Sequence, residues 1–249
     1  MFVILPFEEK IYLDAGVDAE FLGHPFIDLV SPSRTRDESR EKYSLDTSIK
    51  TIGLLPGSRM NEINSLMDVM IESAEKIQND LGSCQFLLPI ADSIDPDLIN
   101  RRLGSNPLGV KLVKGEAYDV MNVCDILIIA SGSATLEAGI MGCPMVIIYK
   151  LNPLTYWMAS WLIKTPFIGL VNIVAGESVV PELIQDRVTA ENISAEVTAL
   201  LNNPEEEKAV RNRLLKVRNT LGNPGVMQAI AGRIAVFMGE MSADEKTPV

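Results

Sequence analysis

The sequence predicts an α/β fold: a Rossmann-like, doubly wound parallel sheet followed by a helical tail. Three observations predict it. Short runs of branched apolar residues recur between Ile49 and Tyr149, bounded by turn formers, as buried parallel strands require. Segments with apolar residues at helical spacing alternate with them. Two of the strand-to-helix turns are polar and contain glycine, at the strand ends where open α/β sheets bind ligands.

Taken in order, Met1-Phe2-Val3-Ile4-Leu5-Pro6 reads as an interior strand ending in a proline. Phe7–Ala15 can form a short helix, with Glu8, Glu9 and Asp14 on an exposed face, and Val17–Leu22 a short strand. His24, the chain's one histidine, sits between Gly23 and Pro25, where a hinge or packing role outweighs catalysis. The charged stretch from Ser31 to Lys42 reads as a linker or an exposed helix. Ile49–Leu55 is a strand, Pro56-Gly57-Ser58-Arg59 a turn, and a long amphipathic helix follows. That helix keeps Ile63, Leu66, Met67, Met70, Ile71, Ala74, Ile77 and Leu81 on one face, with Glu62 in its first turn to suit the dipole.

Further strands are predicted at Gln85–Ile90, Gly109–Val113, Ile126–Ala130 and Met145–Tyr149. Helices fall near Pro96–Leu103 and Glu116–Asn122, and a third starts after Ser131-Gly132-Ser133 and ends near Gly142. Asn152–Lys164 is rich in aromatic and aliphatic side chains. Within Tyr156–Phe167 these suit a core more than a membrane-facing belt. The tail is helical, with Ile193, Val197, Leu200 and Leu201 sharing one face, and Val210, Leu214, Val217 and Leu221 another. Val226, Ile230, Ile234 and Phe237 form a third stripe. Asn223-Pro224-Gly225 separates the last two helices, and the chain is expected to fray from Met241.

A chain of 249 residues, 47% hydrophobic, can bury a substantial core. Its net charge of −11 speaks against nucleic-acid binding. Cys84, Cys124 and Cys143 have no CxxC spacing and read as buried thiols in a reducing compartment, not metal ligands. No signal peptide is visible and no apolar run reaches the ~20 residues of a membrane span, so a cytoplasmic protein is expected, with peripheral membrane contact left open. The dinucleotide fingerprint GxGxxG and the phosphate loop GxxxxGK[ST] are both absent, which removes the best evidence for NAD binding or P-loop hydrolysis.

Chemistry concentrates at the two turns. Ser131-Gly132-Ser133 gives small, hydroxyl-bearing backbone at a helix start, where amides favour anions. Glu137, one turn further on, can accept hydrogen bonds from vicinal hydroxyls such as those of ribose. It reads equally well as a first-turn carboxylate on a solvated face. Arg59 offers a fork of donors to phosphate oxygens, though a surface arginine after a Pro-Gly turn is common. Asn172, Glu182 and Gln185 can be cap and loop residues.

Several stretches, in order and spacing, resemble the lipid-A-disaccharide synthase family of B-type glycosyltransferases. They include Leu5-Pro6-Phe7-Glu8, Gly23-His24-Pro25, Leu55-Pro56-Gly57-Ser58-Arg59, Ala130-Ser131-Gly132-Ser133-Ala134-Thr135-Leu136-Glu137-Ala138 and Pro144-Met145-Val146. Tyr149-Lys150, Asn172-Ile173-Val174-Ala175-Gly176 and Pro181-Glu182-Leu183-Ile184-Gln185 complete the set. The resemblance covers the C-terminal two-thirds of that family. It implies two Rossmann-like domains around a cleft, the donor being held by the C-terminal nucleotide-sugar domain.

The implied organisation is residues 1–22 as a remnant of the N-terminal acceptor domain, 23–48 as a linker, 49–222 as the nucleotide-sugar domain, 223–240 as a C-terminal crossover helix and 241–249 as a frayed tail. The implied reaction joins UDP-2,3-diacylglucosamine to 2,3-diacylglucosamine 1-phosphate (lipid X), releasing UDP, at or near the inner membrane, with no cofactor or metal. By the same resemblance Gly57, Ser58 and Arg59 contact the donor diphosphate, and Ser131, Gly132, Ser133 and Thr135 line its pocket. Glu137 binds ribose, and Asn172, Glu182 and Gln185 match polar positions of the donor site. The family's acceptor domain and its catalytic carboxylate have no counterpart here, so the chain is expected to be a fragment whose base lies elsewhere. A UDP-sugar epimerase of the same architecture and a non-catalytic UDP-binding remnant are the competing readings.

Overall fold

The computed structural model describes residues 1–151 and 166–244, with side chains through residue 239. The chain divides into two compact units, Ser31–Leu215 and a smaller one made of Met1–Val30 with Lys216–Val249. The division falls inside one helix, α10 (Pro204–Thr220).

The larger unit is built on six parallel strands: β3 (Lys50–Leu55), β4 (Cys84–Ile90), β5 (Lys111–Lys114), β6 (Ile126–Ala130), β7 (Met145–Tyr149) and β8 (Glu182–Ile184). Their order across the sheet is β5-β4-β3-β6-β7-β8. Counted from β3, this is the 3-2-1-4-5-6 order of the dinucleotide-binding folds, which confirms the Rossmann-like class. The chain runs outward from β3 to β5, then returns to lie on β3's other side as β6. That reversal opens a crevice at the C-terminal ends of β3 and β6.

Alternation along the strands separates two layers. Ile52, Leu54, Phe86, Leu88, Ile90, Ile126, Ile128, Val146, Ile148 and Leu183 face one side and are buried. Against them lies α4 (Met60–Leu81), which buries Ile63, Leu66, Met67, Met70, Ala74 and Ile77. The helices at Pro96–Leu103 (α5) and Ala190–Leu201 (α9) complete this layer through Ile99, Leu103, Ile193, Val197 and Leu201. On the opposite face pack α6 (Ala117–Val123) and α7 (Ser133–Ile140). Gly139 of α7 admits the next helix, α8 (Leu170–Ala175), closely: a Cβ there would lie 2.7 Å from Val171 Cγ2.

Residues 23–48, expected as a linker with a linker or exposed helix over Ser31–Lys42, contain two helices: α2 (Phe26–Leu29), in the smaller unit, and α3 (Arg36–Lys42), which packs on α6. Asp119, buried on α6, accepts from the Arg34 N–H at 2.9 Å and from its guanidinium at 2.8 Å, while Arg36 meets Asp125 at 2.7 Å. A charged stretch read as solvated is thus tied to the sheet layer by ion pairs that composition alone conceals. Strand β8 was also missed, because its three residues are too short to show a period.

In the smaller unit, β1 (Phe2–Val3) pairs in parallel with β2 (Glu20–Phe21), and α1 (Pro6–Asp14) between them buries no residue. α11 covers Val226–Asp244, and residues 245–249 of the tail expected to fray from Met241 lie outside the described residues. Its start is capped from a distance by Asp28, whose carboxylate accepts from the N–H groups of Gly225 (2.7 Å) and Met227 (2.8 Å). Along its apolar stripe Val226 is buried and Ile230 half-buried, while Ile234 and Phe237 are exposed. The expected aromatic segment Tyr156–Phe167 lies almost wholly outside the described residues.

Candidate functional site

Register places both glycine-containing turns together. Leu55 pairs with Ile129, so the chain leaves β3 and β6 side by side at the crevice. The turns, the ends of β4 and β5, and one face of α7 enclose a cleft of about 470 Å³. That size suits a small organic ligand.

The first turn is shaped around Glu62. Gly57 has φ +114, a backbone that glycine adopts without cost, and any Cβ there would collide with the Glu62 side chain. The close approach lets Glu62, in the first turn of α4, reach back. Its Oε2 accepts from the N–H groups of Ser58 (2.9 Å) and Arg59 (3.3 Å). Its Oε1 accepts from Arg59 Nη1 at 3.0 Å, although the Arg59 side chain is 80% exposed.

The second turn is open. Gly132 precedes α7 without any capping side chain, and no acidic residue lies in the helix's first turn. Among the described residues, the N–H groups of Gly132, Ser133 and Ala134 have no acceptor. They form an anion-seeking helix end directed at the cleft. The turn is braced from beneath: Thr135, fully buried, donates its hydroxyl to the Gly132 carbonyl at 2.8 Å, and Ser131 donates to the Ile168 carbonyl at 2.8 Å. Glu137 borders the same cleft without a hydrogen-bond partner among the described residues. Burial raises its pKa above 4.5.

Of the residues singled out in the sequence, Gly57, Ser58, Arg59, Ser131, Gly132, Ser133 and Glu137 converge on the cleft. Thr135 does not line it and acts from behind. Asn172, Glu182 and Gln185 are not among its lining residues, and their polar atoms are committed within the chain. Asn172 is buried, accepting from the N–H groups of Val179 and Val180 and donating to the Val180 carbonyl and to Glu182. Glu182 accepts from the N–H groups of Ile168 and Gly169, and Gln185 exchanges two hydrogen bonds with the Leu151 backbone. Through these hydrogen bonds the three side chains hold together the segments around β8.

The sequence reading missed the far wall, made by Pro89 to Asp92 and by Gly115 and Ala117, and it missed Glu62's hold on the first turn. The wall follows from the rule that ligands meet the C-terminal ends of strands, which applies to β4 and β5 as well. The cleft combines one guanidinium, a helix end with no capping side chain, and three carboxylates, those of Glu62, Asp92 and the half-buried Glu137. That set fits an anionic ligand carrying a hydroxylated ring.

Comparison with known proteins shows what the chain is similar to. A profile of the family described as lipid-A-disaccharide synthetase matches residues 1–229. A lipid-A-disaccharide synthase of Geobacter metallireducens is 44% identical over 240 residues, covering 96% of this chain and 62% of its own length. One from Syntrophus aciditrophicus is 41% identical over 232 residues, covering 93% of this chain and 61% of its own. The chain thus spans about three-fifths of the length of these relatives. Among solved structures, a glycosyltransferase involved in lipopolysaccharide biosynthesis superposes with a TM-score of 0.60 at 12% identity, covering 92% of this chain and 61% of that one. A UDP-GlcNAc 2-epimerase from Neisseria meningitidis, bound to UDP-GlcNAc, gives 0.63 at 14%, covering 94% and 60%. At those identities the two structures speak for the fold alone.

Proposed function

The chain belongs to the lipid-A-disaccharide synthetase family, and we propose that its cleft is the donor half-site of lipid A disaccharide synthesis. In this reading the ligand is UDP-2,3-diacylglucosamine. Its sugar passes to lipid X and UDP departs. The observation that carries the proposal is the convergence of two strand-to-helix turns on one cleft at the point where the sheet order reverses.

The chemistry asked of these residues is binding and charge stabilisation. The open N–H groups of Gly132, Ser133 and Ala134 and the guanidinium of Arg59 receive the diphosphate. They also stabilise the negative charge that develops on UDP as the anomeric bond breaks. Glu137 accepts from the ribose hydroxyls. The acceptor's 6-hydroxyl attacks the anomeric carbon from the opposite side, inverting it, and needs a base. Three carboxylates line the cleft: Glu62 is bonded to the first turn, Glu137 is given to the ribose, and Asp92 is exposed on the far wall; we assign the base to none of them. The chain by itself therefore binds UDP and forms no disaccharide.

The test is calorimetry with UDP, followed by incubation with labelled donor and lipid X, alone and with the N-terminal part of a relative supplied separately. UDP binding without turnover by the chain alone is the expected result. Failure to bind UDP overturns the donor-site reading, and disaccharide made by the chain alone overturns the assignment of the base elsewhere. An isomer released from UDP-GlcNAc favours an epimerase instead.

A further inference from the structure

Two helix N-termini face this cleft, and they differ in one respect. The start of α7 carries no carboxylate and its first amides are open. The start of α4 is already occupied, because Glu62 takes the Ser58 and Arg59 N–H groups on one oxygen and the Arg59 guanidinium on the other. A helix cap of the usual kind would need only the N–H of the N-cap residue. Glu62 also holds the preceding amide and the one guanidinium lining the cleft, while lining the cleft itself. Two adjacent backbone donors with an arginine fork are the contacts that a phosphate group seeks.

We infer that Glu62 is the resident counter-anion of the diphosphate seat: its carboxylate holds the turn in the empty cleft and is exchanged for a phosphate group when the donor binds. This rests on the donor-site reading and adds a specificity-setting residue to it. Bound carboxylate and bound phosphate exclude each other at Arg59, so the empty protein carries a self-competition that lowers its apparent affinity for anions. A neutral ligand such as uridine gains nothing from displacing Glu62. Discrimination between a nucleoside and its diphosphate is thereby tuned at residue 62, outside the diphosphate's own contacts.

Glu62→Gln separates the possibilities. Glutamine keeps an acceptor for the Ser58 and Arg59 N–H groups, which preserves the turn, but no longer neutralises Arg59. Calorimetry on wild type and variant, with inorganic diphosphate, UDP and uridine, should show both anions bound roughly 1.5- to fivefold more tightly by the variant, the range of an exposed ion pair removed. Uridine affinity should not change, and the gain should vanish in an Arg59→Ala background. Equal or weaker diphosphate binding by a variant that melts like wild type overturns the inference while leaving the donor site standing if UDP still binds. A variant gain for diphosphate with no UDP binding by either protein does the reverse. Should the variant fold poorly, the carboxyl carbon of Glu62 can be followed by NMR in the wild-type chain. Its resonance should shift on saturation with diphosphate, and a bound complex that leaves it unmoved overturns the exchange.

Discussion

Asn172 Nδ2 stands 2.8 Å from Glu182 Oε1, and together these two side chains tie the loop after β7 to the loop before β8. Asn172 closes on the backbone of Val179 and Val180 while Glu182 closes on Ile168 and Gly169. Because Ser131 of the cleft donates to the Ile168 carbonyl, the pair reaches the site through one intermediate segment.

Asn172→Ala should therefore act on folding before it acts on binding. Removing a fully buried amide leaves the Val180 N–H without a partner and takes one hydrogen bond each from the Val179 N–H, the Val180 carbonyl and Glu182. Each unsatisfied group costs roughly 1–3 kcal/mol, and relaxation returns part of it. We expect a loss of about 2–4 kcal/mol in urea unfolding. A variant as stable as wild type that binds UDP more weakly would place Asn172 in contact with ligand instead.

Arg59→Ala should do the opposite. The side chain is largely exposed and its pairing with Glu62 contributes little to the fold, so unfolding should shift by no more than about 0.5 kcal/mol. A charged hydrogen bond to phosphate is worth ~1.5–3 kcal/mol, so UDP affinity should fall at least tenfold. Calorimetry reading an unchanged dissociation constant in a folded variant removes Arg59 from the diphosphate seat.

His24 predicts a pH dependence of the smaller unit. Its ring is buried against Phe26, Nδ1 accepts from the Phe26 N–H at 3.0 Å, and the His24 backbone N–H donates to the Leu221 carbonyl at 2.8 Å. Burial lowers its pKa below 6.5, with Glu8 opposing the shift. The unfolded chain therefore takes up the proton first. The neutral ring's contribution is complete above about pH 6.5 and is lost as pH falls toward the depressed folded value. Thermal melts should drop below that point more steeply in wild type than in His24→Gln. Parallel curves for the two proteins would remove His24 from the acid response.

The sheet was legible because its strands are continuous apolar runs with helical spacing between them. Ile126–Ala130 and Met145–Tyr149 coincide with β6 and β7, and Ile49–Leu55 with β3 to within one residue. The two turns were legible for the same reason, since strand ends and glycines mark where a crevice opens. What stayed hidden depends on partners distant in sequence. Arg34 meets Asp119 across 85 residues, a tie that a charged stretch fitting a linker or an exposed helix equally does not reveal. Asn172 and Glu182 have polar side chains whose intrachain partners, each other and the backbone of Ile168, Gly169, Val179 and Val180, no sequence pattern announces. Glu62 was read as a helix-dipole carboxylate because a sequence cannot show that Gly57 leaves room for it to fold back.

Glu137 gives the sharpest contrast between stability and binding. Its carboxylate borders the cleft, half-buried and without a hydrogen-bond partner among the described residues, and burial raises its pKa. The folded state thus binds this proton more tightly than the unfolded chain does. The cost of the charged form is present above the folded pKa and disappears as pH falls through it. Glu137→Gln should relieve that cost, leaving stability at pH 7 unchanged or higher by on the order of 0.5 kcal/mol. The same substitution should weaken UDP several-fold, because glutamine's amide offers one acceptor oxygen to two ribose hydroxyls. Inorganic diphosphate, which has no ribose, should bind the variant as it binds wild type. In wild type, UDP affinity should fall relative to diphosphate affinity as pH drops through the raised pKa, and this differential should be absent in the variant. Equal losses for both ligands, accompanied by a lower melting temperature, would make Glu137 a structural residue and leave the ribose without its acceptor.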